Sequence, residues 1–156
     1  MKKLILVSII LLNLNEKIIA SEIYGLPIIT DGDTIKISNN KIRLHGIDAP
    51  EKKQKCTKNK KKYNCGVVAT KALTKKIGKK LVKCLVQKKK DRYNRFIGIC
   101  FVENEDLNKW MVRNGHAVAY KRYSKDYILD EEFAKTNKLG LWSGTFLNSE
   151  KWRKLN

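Results

Sequence analysis

The stretch DGDTIKISNNKIRLHGIDAPE, residues 31–51, decides the fold. Apolar and polar residues alternate in Thr34–Ile37 and again in Ile42–His45, which predicts two half-buried β-strands. Asn39 and Asn40 lie between the two runs and are typical of a tight hairpin turn. The stretch therefore predicts a β-hairpin with acidic residues before its first strand and after its second.

The second strand should end near Ile47, because Pro50 cannot donate a hydrogen bond to a neighbouring strand. Arg43 and Asp48 are five positions apart, so a straight strand would direct their side chains to opposite faces. Both side chains can reach one site only if the chain bends or bulges near Gly46.

Outward from this hairpin, the sequence predicts further strands and three helices. A helix over Val67–Ile77 should end at Gly78, a usual stop signal. Five short strands with inserted helices predict a small β-barrel of the OB type, an α+β fold with five strands and three helices. The apolar face of the first helix would consist of Val68, Ala72, Leu73 and Ile77. The other predicted elements are strands at Tyr24–Thr30, Leu81–Val86 and Phe96–Val102 and helices at Glu105–Asn114 and Leu129–Leu139.

The composition narrows the class of partner. The chain has 156 residues, which argues for one domain, and 42% of them are hydrophobic, which excludes wholesale disorder. It carries 34 Lys and Arg against 15 Asp and Glu, for a formal net charge of +19. So large an excess indicates a polyanionic partner: nucleic acid, an acidic membrane surface or an acidic polysaccharide. Lysine used only for solubility is the alternative.

Residues 1–20 have the organisation of a secretory signal peptide. Lys2 and Lys3 precede the apolar run Leu4–Leu12, and Ala20 is a small residue suited to cleavage before Ser21. The apolar run is too short to span a bilayer comfortably, although an uncleaved anchor stays open. We expect an exported protein, secreted or periplasmic, whose mature part is a single domain over residues 21–156 without a membrane-crossing segment.

Four cysteines follow the predicted signal peptide, and an exported chain meets oxidising conditions in which disulfides persist. They allow three pairings, and because none forms a C-x-x-C motif, a zinc site is a weak alternative. We favour Cys56–Cys65, which would close a lysine-rich loop, and Cys84–Cys100, which would join two neighbouring strands. Four free thiols would require that the signal peptide be false.

The few acidic residues are unevenly placed. Between Lys52 and Lys90 the chain has 16 lysines and no acidic residue. Carboxylates on a phosphate-binding surface would repel the ligand unless a cation lay between them. The pattern therefore predicts a site for Ca²⁺ or Mg²⁺, which take oxygen ligands, beside a phosphate site. The four acids just before the lysine-rich stretch are Asp31, Asp33, Asp48 and Glu51, and turn and strand-end roles are their alternative.

Arginine is rare among the basic residues. Only six of the 34 are arginine, and Arg43 and Arg95 lie within predicted strands or at their edges. A planar guanidinium can hold two phosphate oxygens at once, which an ammonium group cannot. We therefore predict that both arginines bind phosphate. The alternative is a structural strand arginine, with its stem on apolar surface and its head in water.

Three motifs occur in order along the chain: D-G-D-T at 31–34, R-L-x-G-I-D-A-P-E at 43–51 and D-R-Y-x-R-x-x-G at 91–98. They resemble the staphylococcal nuclease (thermonuclease) family, and the resemblance extends roughly from Ile29 to Trp152. It implies an OB-fold barrel and a Ca²⁺-dependent endonuclease that cleaves DNA and RNA and leaves 3′-phosphates. Segments 106–108, 115–120 and 140–142 match as well.

The resemblance also implies roles for the acidic residues. Asp33, Asp48 and the backbone carbonyl of Ala49 would bind Ca²⁺, with Asp31 in a secondary role nearby. Glu51 would orient the attacking water and could deprotonate it.

The resemblance further implies which residues bind the substrate. Arg43 and Arg95 would bind the phosphate, and aromatic rings near the nucleotide could stack on a base. The predicted substrate-binding residues are Tyr93, Tyr120 and Arg92. The chain departs from the family pattern in a short hairpin before Arg43 and in the two cysteines that follow Glu51.

Three other functions compete with this interpretation. A metal-free ribonuclease could use His45 and His116, but it leaves the clustered acids unexplained. A non-catalytic, cationic nucleic-acid-binding module would need the lysines but not Glu51, Arg43 and Arg95 together. A membrane-surface role would need a basic amphipathic helix with bulky apolar anchors, which the sequence lacks. We expect a monomer without a stable protein partner.

Overall fold

A computed structural model describes residues 21–156. The predicted signal peptide, residues 1–20, lies outside the described residues. Within the described part, no helix is long and apolar enough to cross a membrane.

The main sheet of the described chain has seven strands in the order β1-β8-β9-β4-β3-β2, with β10 added on β9. β4 and β9 are parallel, and the other pairs are antiparallel. The strands of this sheet are β1 (Ser21–Gly25), β2 (Pro27–Asp31), β3 (Thr34–Ile37), β4 (Asn40–Leu44), β8 (Val82–Val86), β9 (Phe96–Val102) and β10 (Glu105–Asp106). Two small sheets pair β5 (Ile47–Asp48) with β11 (Val118–Ala119) and β6 (Cys56–Lys58) with β7 (Lys61–Tyr63).

One residue explains why the main sheet curls. β1 and β2 lie at opposite ends of the strand order, yet only Leu26 separates them along the chain. The two ends of the sheet must therefore approach each other, which curls the sheet towards a barrel. The predicted single strand Tyr24–Thr30 is divided at this point, because its halves pair with different partners, β8 and β3.

The described residues form four α-helices, one more than predicted, and they confirm the barrel-plus-helices class. The helices are α1 (Cys65–Ile77), α2 (Leu107–Arg113), α3 (Ile128–Thr136) and α4 (Ser149–Leu155), with a 3₁₀ turn at Gly140–Ser143. α1 and α2 contribute Leu73, Ile77, Leu107 and Met111 to the core, which they share with sheet residues such as Ile35, Ile42 and Leu44. α4, the unpredicted helix, follows the 3₁₀ turn at the end of the chain.

The predicted face of α1 is rotated. Val68 is 46% exposed instead of buried, and the inward face begins at Cys65 and Gly66. Cys65 is bonded to Cys56, and a Cβ added at Gly66 would lie 1.9 Å from the carbonyl oxygen of Glu51. The disulfide and this close backbone approach fix the rotation of the helix. Neither contact can be predicted from the spacing of apolar residues.

Both favoured disulfides are confirmed. Cys84 and Cys100 face each other directly in the β8–β9 register, with a Cα–Cα distance of 4.0 Å. Cys56 and Cys65 join the β6–β7 hairpin to the start of α1, with a Cα–Cα distance of 5.6 Å. Two such bonds in a small domain indicate an oxidising environment.

We expect the Cys84→Ala/Cys100→Ala double variant to lose about 3 kcal/mol of unfolding free energy, because the bond closes a loop in the unfolded chain. Urea denaturation followed by circular dichroism would measure the loss. Reducing agent should lower the midpoint of the variant less than that of the wild type, because the variant retains only the Cys56–Cys65 bond. Equal midpoints for the variant and the oxidised wild type would contradict the prediction.

Candidate active site

The chain bends at Gly46, as the spacing of Arg43 and Asp48 required. β4 ends at Leu44, Gly46 takes a φ of +72°, and the chain leaves β4 to form β5. The bend brings Arg43 Nη2 to 2.9 Å from Asp48 Oδ1 and 3.2 Å from the carbonyl oxygen of Ile47. A Cβ at Gly46 would also lie 3.0 Å from side-chain atoms of Ser124 and Tyr127, so glycine suits both the conformation and the space.

Asp33 links the first motif to the second. Its Oδ2 accepts a hydrogen bond of 2.8 Å from the backbone N–H of Ala49 and forms an ion pair with Arg43 Nη1. Its Oδ1 accepts a hydrogen bond of 3.1 Å from the hydroxyl of Thr34. Asp33 and Asp48 are both buried and both contact one guanidinium, so their carboxylates face a common point.

Asp31 supports this arrangement from the turn before β3. Its Oδ1 accepts a hydrogen bond of 3.0 Å from the backbone N–H of Asp33. Burial raises the pKa of Asp31, and the charge of Arg43 opposes that shift.

Glu51 is held by its backbone and by one side-chain contact. Its N–H donates to Gln54 Oε1 at 3.2 Å, and the buried Gln54 side chain donates in turn to the carbonyl of Leu147 at 2.6 Å. Gly66 packs on the Glu51 carbonyl from the other side. The Glu51 carboxylate is half-buried and accepts a hydrogen bond of 2.7 Å from Arg153.

Arg95 is presented by its own loop. Asp91 Oδ1 accepts the backbone N–H groups of Tyr93 and Arg95, both at 2.9 Å, and Asp91 Oδ2 accepts Arg95 Nε at 2.9 Å and Nη2 at 2.8 Å. Burial opposes the charge of Asp91, but the hydrogen bonds from Arg95 keep the pKa of that carboxyl below its usual value. Arg95 Nη1 lies 3.5 Å from Thr34 Oγ1, so the third motif meets the first.

The predicted substrate-binding residues lie around this cluster. Tyr93 is 61% exposed, and the guanidinium groups of Arg92 and Arg95 lie 4.8 Å and 5.2 Å from its ring centre. Tyr120 is half-buried and meets Tyr123 edge-on with ring centres 4.7 Å apart. Burial raises the pKa of Tyr120, and the charge of Asp48 adds to that shift.

Arg153 and Gln54 are residues of the site that sequence reasoning missed. Arg153 lies on α4, beyond the part of the chain that resembles the nuclease family, and it forms ion pairs with Asp48 and Glu51. The only sequence signal for it is that it is one of six arginines. Gln54 has no signal, because a glutamine in a polar loop is usually exposed.

The predicted cation ligands provide suitable donors. Asp33, Asp48 and the carbonyl of Ala49 offer oxygen atoms only, which are the ligands that Ca²⁺ prefers. The shared contact with Arg43 shows that a positive charge already lies between the two carboxylates. Within residues 21–156, no three acidic, histidine or cysteine side chains already surround a common metal position. The chemistry of the donor atoms fits Ca²⁺, and the guanidinium of Arg43 lies next to the same carboxylate oxygens.

The two histidines lie in different parts of the fold: His45 follows β4, where its N–H donates to the Gly98 carbonyl and its carbonyl accepts from Asn108, and His116 follows α2. His116 packs against Trp110, with ring centres 5.4 Å apart, and lines a cavity of about 150 Å³ on the side of Gly140 and Leu141. Burial lowers the pKa of His116. None of its neighbours belongs to the arginine–carboxylate cluster, so the geometry gives the histidine mechanism no support.

Several known proteins are similar in sequence to this chain. A family model described as "Staphylococcal nuclease homologue" matches residues 41–144. The chain is 33% identical over 126 residues to "Succinoglycan biosynthesis protein ExoI" of Rhizobium meliloti, and the aligned region covers 79% of this chain and 66% of that protein. It is 34% identical over 134 residues to an "Uncharacterized endonuclease" of Haemophilus influenzae, covering 81% and 70%.

A plant protein matches over a smaller share of its length. The chain is 34% identical over 127 residues to "Probable staphylococcal-like nuclease CAN3" of Oryza sativa, which covers 78% of this chain and 30% of that protein. The chain thus spans about two thirds of the two bacterial proteins and under one third of the plant protein.

We expect Gly66→Ala to destabilise the protein by about 3 kcal/mol and to lower activity, because its methyl group would overlap the Glu51 carbonyl. Chemical denaturation and an assay of nucleic-acid cleavage would measure both effects. Gly78→Ala is the control, since no atom lies within 4 Å of its added Cβ and only its positive-φ backbone, which favours glycine, costs about 1–3 kcal/mol. Equal activity of the two variants would show that Gly66 does not position Glu51.

Proposed function

Because the chain belongs to the staphylococcal nuclease homologue family of hydrolytic nucleases, we propose that it is a Ca²⁺-dependent endonuclease that cleaves DNA and RNA and leaves 3′-phosphates. The observation that carries the proposal is the meeting of three motifs at one place. Asp33, Asp48 and Arg43 share one cluster, and Thr34 joins Arg95 to it.

Asp33, Asp48 and the carbonyl of Ala49 would hold Ca²⁺. When bound, the ion supplies charge neutralisation and polarises a phosphoryl oxygen. The protein contributes the positions of its ligands: Asp33 is fixed by the Ala49 N–H and by Thr34, and Asp48 by its place in β5.

Glu51 is suited to handle the attacking water. Its carboxylate is half-buried next to Asp48, and its backbone is fixed by Gln54. In hydrolysis, the water oxygen forms a bond to phosphorus, and the bond from phosphorus to the 5′-oxygen breaks. Glu51 accepts the proton of the water, the leaving oxygen gains a proton, and the phosphate stays on the 3′-oxygen. General-base help of this kind contributes about 10²–10⁴-fold to the rate.

Arg43 and Arg95 would bind the equatorial phosphate oxygens, where negative charge grows in the transition state. Arg95 donates from Nε and Nη2 to the Asp91 carboxylate. Its Nη1 is thereby directed towards Thr34 and the carboxylate cluster. Arg43 is only 12% exposed and is already oriented by two carboxylates. Preorganised donors need little rearrangement during the reaction.

The substrate is proposed to be nucleic acid bound mainly through its backbone. Residues 21–156 hold 31 basic against 14 acidic residues, which leaves a charge of +17 for sequence-independent attraction. Tyr93 and Tyr120, with Arg92, offer rings and a cation for the nucleotide without a base-reading helix. We expect little sequence preference and weaker binding at high salt.

The protein is proposed to act outside the cytoplasm as a monomer. Both disulfides suit an exported chain, whether it is secreted or periplasmic. The basic charge would repel a second copy and attract the substrate.

The mature chain should linearise and degrade plasmid DNA with Ca²⁺ and stop when EDTA is added. Glu51→Gln and Asp33→Asn should each lower the rate by about 10²-fold or more, since they remove the base and a proposed ligand. Gel electrophoresis gives the rate, and phosphatase treatment of the products identifies the 3′-phosphate. DNA binding without cleavage in Ca²⁺ would instead support a non-catalytic binding module.

Arg95→Lys should lower kcat about 10²–10³-fold, because it keeps the charge but loses the fork that Asp91 aligns. Steady-state kinetics on a fluorogenic oligonucleotide would measure kcat and KM. Arg113→Lys is the matched control: its side chain is 45% exposed and pairs with Asp130 of α3 instead of with a residue of the cluster. A similar small effect in both variants would remove Arg95 from the catalytic group.

A further inference from the structure

Arg153 of α4 occupies the carboxylates to which the proposed function assigns chemistry. Its Nη1 lies 3.0 Å from Asp48 Oδ1 and 2.7 Å from Glu51 Oε1, and its Nη2 lies 3.2 Å from Asp48 Oδ2. The guanidinium thus covers both oxygens of Asp48 and one of Glu51. These three contacts cross 102 to 105 positions of sequence, so folding of the chain end creates them.

Asp48 has little capacity left while Arg153 is in place. Its side chain is 1% exposed, and Oδ1 accepts from Arg43 as well as from Arg153. A carboxylate accepts about four hydrogen bonds, and arginines already use three of these positions. A divalent cation in contact with the same oxygens would meet the positive guanidinium within a few ångströms, and the two charges would repel each other.

We propose that α4 is an autoinhibitory latch, in which Arg153 is a tethered competitor of Ca²⁺ for Asp48 and Glu51. The inference rests on the proposed Ca²⁺ site. Binding of the cation releases the guanidinium from Asp48, and removal of the cation allows it to return. The latch raises the Ca²⁺ concentration at which the enzyme becomes active without altering its chemistry at saturation.

The structure of α4 allows Arg153 to leave without unfolding. Arg153 retains 36% of its side-chain exposure, so rotation about its own bonds can carry the head into water. The start of the helix is held separately: Ser149 is buried, and Asn148 Oδ1 accepts the N–H of Glu150 at 2.9 Å. The bond from Gln54 to Leu147 ties that anchor to the loop of Glu51, so the latch stays beside the site when open.

The cost of opening appears directly in the affinity for the cation. If only a fraction of molecules have a free Asp48, the apparent Kd equals the intrinsic Kd divided by that fraction. A latch closed in about nine molecules of ten would weaken Ca²⁺ binding about tenfold. Removing the latch should therefore lower the apparent Kd for Ca²⁺ by about the same factor.

Isothermal titration of the mature chain with CaCl₂, without nucleic acid, tests the proposal. We expect Arg153→Gln to lower the Kd for Ca²⁺ about tenfold. Lys154→Gln is the matched control, because it removes the same charge from the same helix, while Lys154 pairs with Glu150 at 3.3 Å and is 72% exposed. The control should change the Kd much less than Arg153→Gln does.

A second measurement covers the possibility that Arg153→Gln folds poorly. Arg153→Lys keeps the charge and most of the volume but loses the two-pronged contact with Asp48, so it should give an intermediate Kd. Without Ca²⁺, both Arg153 variants should have a lower Tm than the wild type. When Ca²⁺ is added, the Tm of each variant should rise by more than that of the wild type. Loss of the latch would thus lower the stability of the Ca²⁺-free protein and increase its affinity for Ca²⁺.

The outcomes separate the latch from the proposed function. Wild-type binding of Ca²⁺ with an equal Kd in Arg153→Gln, or an equal gain in Lys154→Gln, overturns the latch alone. Absence of Ca²⁺ binding in every variant overturns both the latch and the Ca²⁺ site. Tighter binding in Arg153→Gln together with EDTA-resistant cleavage supports the latch and overturns the proposed Ca²⁺ dependence of the reaction.

Discussion

The contact of Arg43 with both Asp33 and Asp48 is the interaction on which the site depends. Two buried carboxylates that face a common point repel each other, and the cost is large unless a positive group lies between them. Burial also lowers the pKa of Arg43, and the charge of Asp48 opposes that shift. Two backbone features bring these three side chains together. The β3–β4 register sets Thr34, the neighbour of Asp33, opposite Arg43, and the bend at Gly46 returns Asp48 to the same place.

The rest of the fold supports this ion cluster from outside. The Cys56–Cys65 bond and Gly66 set α1 against the Glu51 backbone, and Gln54 ties the same loop to the chain end. Asp91 orients Arg95 within its own loop, independently of the hairpin. Lysines supply general attraction for a polyanion, whereas the scarce carboxylates and arginines supply geometry. The cluster therefore consists of residues from elements far apart in sequence, and ion pairs between opposite charges keep these residues in place.

Much of the core site could be predicted because its signals are local. The strand Thr34–Ile37 follows apolar alternation, and the strand Phe96–Val102 is a continuous run without a polar residue. The five-residue spacing of Arg43 and Asp48 required a bend, which the structure has at Gly46. The pairing of Cys84 with Cys100 followed from two adjacent strands. The face of α1 was wrong at Val68, since a disulfide and a backbone contact rotated the helix. α4 was missed because SEKWRKL has a single large aromatic residue and no sustained apolar period.

The sequence by itself determined which groups carry charge, where the hairpin and the bend lie, and which motifs stand in order along the chain. These depend on neighbours within a few residues, where backbone preference and alternation act directly. Only the tertiary structure decided that Arg153 meets Asp48 and Glu51, that Gln54 is buried, and that three motifs close on one cluster. Such contacts depend on how the curled sheet brings its two ends and the last helix together, and no local preference of the residues encodes that packing.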